Sequence, residues 1–202
     1  MRSTGRRLPF SPGRDVQTIN GLRRSVMAQA VVSTPVRRSV RIGGVSKPEL
    51  LNRLSIAGVQ LNEAAHALFA DDRFTASADS AIVDAVEVSV AWLGFPSGAT
   101  FAEVVAAAAS HGLALCELEL AAHLRLQFTD QPEGAAGQPP SRNRAPPGAL
   151  TVASVPISED DEVPKGFYLR RIDGVLWLRG YRSWADHQWS ADDVFVFAET
   201  AA

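Results

Sequence analysis

The sequence predicts an α+β fold: N-terminal short helices and one Ala-rich helix packed on a mainly antiparallel sheet that ends in a β-hairpin. Three observations predict it. Helix-start signals crowd the chain after residue 45, strand-like alternation dominates its second half, and Phe167 to Arg182 reads FYLRRIDGVLWLRGYR. Helices followed by a run of antiparallel strands is the segregated α+β pattern rather than a βαβ alternation. Asp173-Gly174 between two alternating runs is the strongest local hairpin signal, because a type I′ turn needs positive φ at both central positions.

The elements follow in chain order. Residues 1–44 combine Gly, Pro, Ser and Arg without sustained apolar periodicity and are expected to form a disordered basic tail. A single α+β domain is expected over 45–198. It opens on Ser46-Lys47-Pro48-Glu49, a capping box in which hydroxyl and carboxylate satisfy orphan amides. Leu50, Leu51, Leu54 and Ala57 mark the buried stripe, and Gly58 is a C-terminal stop. Asn62 opens a second short helix running through Phe69, and Phe74 closes the segment. The pair makes an αα-hairpin, which also permits a helix-turn-helix reading. Its second helix carries Glu63, His66 and Asp71-Asp72 before any arginine, acidic where a DNA-reading helix is basic.

Val86 to Val90 alternates as a half-buried strand, and residues 94–98 form a turn. Thr100 and Glu103 form a second capping box, and Phe101, Val104, Val105, Ala108 and Ala109 line one helix face before His111-Gly112 ends it. Leu115 to Leu120 reads as a short helical turn, and Leu124 to Phe128 as a strand with Arg125 and Gln127 on its outer face. Residues 130–148 hold five prolines and three glycines and read as a long loop. Leu150 to Val155 resumes β character, residues 159–162 form an acidic loop, Ser190 to Asp193 a turn, and Val194 to Phe197 a last strand.

Charge is unevenly spread. Residues 1–41 hold nine arginines against one acid, Asp15, so with a formal charge of −2 on the whole chain the remainder is acidic. A basic arm on an acidic body can contact nucleic acid or an anionic surface, or fold back on its own domain. The single cysteine, Cys116, excludes an intramolecular disulfide and suits a reducing interior. It lies between Leu115 and Leu118 and reads as a buried small apolar residue rather than a thiolate. No apolar run approaches a membrane span, and the start lacks the apolar core of a secretory signal; its Arg- and Ser-rich, acid-poor composition is that of an organellar transit peptide. The expected location is cytoplasmic, with no membrane partner.

Two groups of residues could carry function. With a two-residue turn, Ile172 pairs with Val175, Arg170 with Trp177 and Tyr168 with Arg179. Opposed side chains share a face. Phe167, Leu169, Leu176 and Leu178 then form a core face, with Arg171 the exception, while Tyr168, Arg170, Trp177, Arg179 and Tyr181 form a cationic-aromatic one. Arg170 opposite Trp177 can stack on the indole, and such platforms bind bases by stacking and phosphates by charge. The competing reading is a structural cation–π ladder, or a face covered by the Pro-rich loop and neutralised by residues 159–162. Trp184 and Trp189, flanking Asp186-His187, are expected to cover the same end of the sheet. The second group is His123, Arg125 and Asp130, whose residue types suit acid/base chemistry if they converge. The four histidines form no HExxH or HxH spacing, and no GxSxG elbow is present, so no metal, cofactor or nucleophile is expected.

The phrases SVRIGGVSKPELL, GVQLNEAAHALFADDRF, LGFPSGATF, LCELELAAHLRLQFTDQPEG and GFYLRRIDGVLWLRGY resemble a group of uncharacterised bacterial proteins, some of them labelled helicase. The resemblance spans about Arg38 to Phe197 and leaves the basic tail outside. It implies no role for any residue. A helicase motor needs a phosphate-cradling GxxxxGK[ST] loop, and the two lysines, Lys47 and Lys165, stand in no such context. The expectation is therefore a small non-catalytic binding or interaction module working through the hairpin's outer face, with a protein or nucleic acid as partner. A nucleic-acid accessory role without an ATPase motor and a small enzyme using His123, Arg125 and Asp130 are the alternatives.

Overall fold

The computed structural model describes residues 34–134 and 145–200. Its elements are β1 (Val36–Ile42), α1 (Lys47–Ile56), β2 (Gln60–Leu61), α2 (Glu63–Ala70), β3 (Ala81–Ser89), α3 (Phe101–Ser110), β4 (Leu113–Ala114), α4 (Glu119–Gln127), β5 (Leu150–Val152), β6 (Gly166–Ile172), β7 (Val175–Tyr181) and β8 (Val194–Glu199). The strands form one sheet in the order β1-β3-β8-β5-β6-β7-β2, with β4 paired to the far end of β8. Pairing is antiparallel except for β5 with β8 and β2 with β7. The chain is α+β.

Helix starts follow local chemistry. Thr100 and Glu103 form the full reciprocal box at α3. At α1 only half of the expected box forms: Ser46 accepts from the Glu49 amide, while the Glu49 carboxylate turns to Arg53 at 2.8 Å. Asn62 caps α2 by accepting from the Ala65 amide at 3.0 Å. The Asn62 side-chain amide also reaches the sheet, donating to the Gly180 carbonyl at 3.0 Å and accepting from its N–H at 2.8 Å. Gly180 stands one residue from the end of β7 because α2 leaves no room: a Cβ there would lie 2.6 Å from the Ala64 carbonyl carbon.

The sheet buries both faces of its central strands. On one face α1, α2 and α4 cover Val40, Ile42, Ala85, Val152, Phe167, Leu169, Leu178 and Val196. On the other, α3 brings Val104 and Ala108 against Val86, Val88, Phe195 and Phe197. Within β8 the side chains alternate between the two cores, as the pleat requires. No helix among the described residues is long and apolar enough to cross a membrane.

Three expectations are corrected, the briefest being the helical turn over Leu115 to Leu120, where Cys116 instead forms a β-bridge with Ser154 and α4 starts only at Glu119. The tail predicted over 1–44 gives way to β1, an edge strand paired along its length with β3. Arginines disguised it. Val40 and Ile42 point to the core, and Arg38 on their face pairs with Glu87 at 2.6 Å while lying 3.7 Å over the Phe128 ring, whereas Arg37 on the other face pairs with Glu199 at 3.0 Å. The rest of that predicted tail, residues 1–33, lies outside the described residues, as does 135–144 of the predicted loop. Third, Leu124 to Phe128 is not a strand: it belongs to α4 and its C-terminal cap. Glu119 through Arg125 are all buried, so this helix has no solvent face to reveal a helical period, and short apolar runs are ambiguous. The two-residue strands β2 and β4 gave no sequence signal.

The close approach at Gly180 is directly testable. Gly180→Ala is expected to lower stability by about 1–3 kcal/mol through overpacking against α2. The denaturant midpoint should fall with an unchanged m value; an unmoved midpoint would mean that α2 can slide off the strand at no cost.

Candidate functional site

The β6–β7 hairpin has the register expected from its turn. Ile172 pairs with Val175, Arg170 with Trp177 and Tyr168 with Arg179. Asp173 at φ 50° and Gly174 at φ 77° supply the two positive dihedrals of the turn. The Glu133 carboxylate accepts from the Gly174 amide at 3.3 Å and lies 3.4 Å from Arg171 Nε, so the bend is held from outside as well. Phe167, Leu169 and Leu178 are fully buried beneath α2 and α4.

The opposite face carries rows that cross several strands. Thr151, Tyr168 and Arg179 register across β5, β6 and β7; Arg170, Trp177 and Gln60 register across β6, β7 and β2. Rows two residues apart along a strand are about 7 Å from one another. Tyr168, Arg170, Trp177 and Arg179 are each half-buried, neither entombed nor free. α3 packs over β3, β4 and β8, so among the described residues no helix covers this part of the sheet.

The cation–π contact differs in one partner from the expectation. The guanidinium over the Trp177 ring belongs to Arg179, at 5.0 Å, two residues along the same strand. Arg170 instead lies against the backbone of Gly134, where a Cβ would be 3.2 Å from its Nε. Among the described residues neither Arg170 nor Arg179 forms an ion pair, and the Nε of each is buried without a hydrogen-bond partner. The acidic loop does not neutralise them. Lys165 donates to the carbonyls of Ser158 at 3.0 Å and Asp160 at 2.9 Å, and Arg182 to the carbonyl of Glu162 at 2.7 Å. Residues 135–144 contain no acid and two arginines, Arg142 and Arg144.

Tyr181 shares the face and is half-buried like the strip, but its ring packs against another ring. Its ring meets Trp189 edge-on at 5.8 Å, and burial pushes its phenol above the ordinary range. Trp189 is buried against Phe195, whereas Trp184 stays exposed, so only one of the two flanking tryptophans covers the sheet. The sequence reading missed Gln60, which reaches the Trp177 row through a strand too short to carry a pattern.

His123, Arg125 and Asp130 do not converge. The first two are buried two positions apart on α4, on different sides of the helix, and Asp130 is exposed beyond its end. His123 Nε2 accepts from the Gly43 amide at 3.1 Å, with Glu119, one turn earlier, 3.6 Å away and accepting from the Ser77 amide. Arg125 donates to Gln131 at 2.5 Å and to the Phe128 carbonyl. Its expected place on an outer face is wrong: it is fully buried, and desolvation, with Arg171 adding, lowers its pKa to about 10. Burial also raises the Cys116 thiol to about 12, so it is no thiolate near neutrality. Among the described residues no group of three or more His, Cys, Asp or Glu is placed to hold a metal.

The buried imidazole makes a prediction about acid stability. Desolvation, with Arg53 adding, holds His123 below its ordinary value of 6.5, so the unfolded chain takes up that proton before the folded one does. Its contribution is complete above pH 6.5 and is lost as pH falls toward the depressed folded value; His187, lowered by its own burial, acts in the same sense. Glu119 opposes them: burial raises it above 4.5, so its contribution is present below that value and is lost as pH rises through the folded one. In urea titrations between pH 7 and about 5, His123→Gln is expected to flatten the decline in stability. An unaltered slope would mean that another group titrates.

Compared with known proteins, the chain matches no family model, no curated protein and no solved structure.

Proposed function

We propose that this chain is a binding module, not an enzyme, and that the cationic-aromatic face of its hairpin, which no described helix covers, takes a single strand of nucleic acid. The observation that carries the reading is the pair of guanidinium groups, Arg170 and Arg179, interleaved with Tyr168 and Trp177 and lacking a carboxylate partner among the described residues. A structural salt-bridge ladder would have neutralised them. An aromatic ring offers any base a stacking surface worth about 1–3 kcal/mol, and adjacent arginines follow the phosphates. The rows stand about 7 Å apart, a spacing an extended strand can match. Gln60 at the end of the Trp177 row supplies donor and acceptor groups at the rim. A duplex keeps its base faces stacked inside and presents nothing to Trp177, so single strands are preferred. A protein partner is the other occupant of such a face; the two guanidinium groups without a carboxylate partner among the described residues favour the nucleic acid.

Fluorescence anisotropy with a labelled oligothymidine tests the reading. Trp177→Ala is expected to weaken binding by about tenfold or more, the loss of one stacked base. The double variant R170A/R179A should reduce the slope of log K against log salt by roughly 1.4, about 0.7 for each lost phosphate contact on a single strand. Measuring the change between variants removes the contribution of the arginines before residue 34. No binding, binding insensitive to salt, or an unchanged slope in the double variant would overturn the proposal.

A further inference from the structure

At the Tyr181 end of the hairpin lies a cavity of about 290 Å³ whose character is opposite to that of the strip. Its walls are Phe101, Tyr181, Trp184 and Trp189, and Glu159 and Asp161 stand at its rim. We infer that this cavity is a binding site for a small organic cation of the alkylammonium or quaternary ammonium class.

The aromatic array is built rather than incidental. Trp184 meets His187 at 5.0 Å and 84°, His187 meets Trp189 at 4.8 Å and 81°, and Trp189 meets Tyr181 at 5.8 Å and 89°. Each ring stands edge to face with the next, which holds their electron-rich faces in fixed directions. Trp184 is 41% exposed, a large ring left at the mouth while Trp189 behind it is buried. Such faces attract cations through the ring quadrupole.

Charge agrees with the rings. Lys165 is the one cation among the lining residues, and its ammonium is already engaged by two backbone carbonyls, with Asp161 3.8 Å away. Its donors are turned to the loop that encloses it and are not offered to an anion. Glu159 forms no ion pair among the described residues, so the rim keeps an uncompensated carboxylate. Burial holds His187 below its ordinary value, which keeps the ring stack free of a competing positive charge near neutrality. An alkylammonium group is small enough for the cavity and can meet ring faces and carboxylate together.

Isothermal titration of the full chain with choline, and in parallel with 3,3-dimethylbutanol, its uncharged isostere, tests the inference. Choline is expected to bind saturably and at least about tenfold more tightly than the alcohol. Trp184→Ala should cost about tenfold, and Glu159→Gln, an exposed change that leaves the fold intact, should weaken choline while leaving the alcohol unaltered. Trp177→Ala on the strip should leave choline binding unchanged. Equal affinity for choline and the alcohol, the absence of saturable choline binding, or full affinity in both Trp184→Ala and Glu159→Gln would overturn it.

Discussion

The two-residue bend at Asp173-Gly174 constrains everything built around the hairpin. A tight turn leaves the pairing of β6 and β7 no freedom, and a slip of one residue would send every side chain of a strand to the other face. Phe167, Leu169 and Leu178 are fully buried, and each such side chain is worth about 1.5–3 kcal/mol of burial. Register therefore rests on several kcal/mol as well as on the turn. The same alternation that buries these three must put Tyr168, Arg170, Trp177 and Arg179 on the other side. The cationic-aromatic strip is thus a geometric consequence of the core. What is not forced is that no described helix should cover it and that its guanidinium groups should lack a carboxylate partner among the described residues.

α4 provides the complementary constraint on the covered face. A helix carrying Glu119, His123 and Arg125 into the interior costs desolvation, and the return is hydrogen bonding to loop backbone. His123 receives the Gly43 amide, Glu119 the Ser77 amide, and Gln127 both accepts from Arg41 N–H and donates to its carbonyl along the edge of β1. Arg125 holds Gln131, which in turn donates to the carbonyls of Gly148 and Leu169. One helix thereby fastens β1, the segment before β3, and both ends of the Pro-rich loop to the sheet. Residue types that suggest catalysis serve here as clasps: His123 and Glu119 bond to backbone amides, and Arg125 bonds to the Phe128 carbonyl and to Gln131.

How much of this was legible depends on the range of the interactions. The hairpin register, the caps at Asn62 and Thr100 and the Val104 and Ala108 positions of α3 are local, written within a few residues, and the sequence states them, although Ala109, expected on the same buried face, is exposed. β1 was hidden because Arg37, Arg38 and Arg41 dominate its composition, which outweighed the Val40 and Ile42 alternation. α4 was hidden because it is buried all round and leaves no period to detect. The strip residues were readable through the turn, but the partner of Trp177 was not: Arg170 is drawn to Gly134, a contact made by a loop remote in sequence. The cavity was illegible for the same reason, since its walls come from α3, the acidic loop, β7 and the segment after it.

The two proposed sites are electrostatically opposite and close. Arg179 and Tyr181 are two residues apart on β7, about 7 Å along the strand. That is within the screening length of about 8 Å at physiological ionic strength, so a cation held over Tyr181 and an anion held at Arg179 feel each other. Their attraction makes occupancy of either site favour occupancy of the other, and by linkage the gain is equal in both directions. The backbone ties from Lys165 and Arg182 to the acidic loop matter to this arrangement, because they keep its carboxylates beside the cavity and away from the arginines. Were that loop free to swing over the strip, it would neutralise Arg170 and Arg179 and strip the cavity of its rim at the same time. Charge separation along one sheet face is therefore maintained by hydrogen bonds that involve neither site directly.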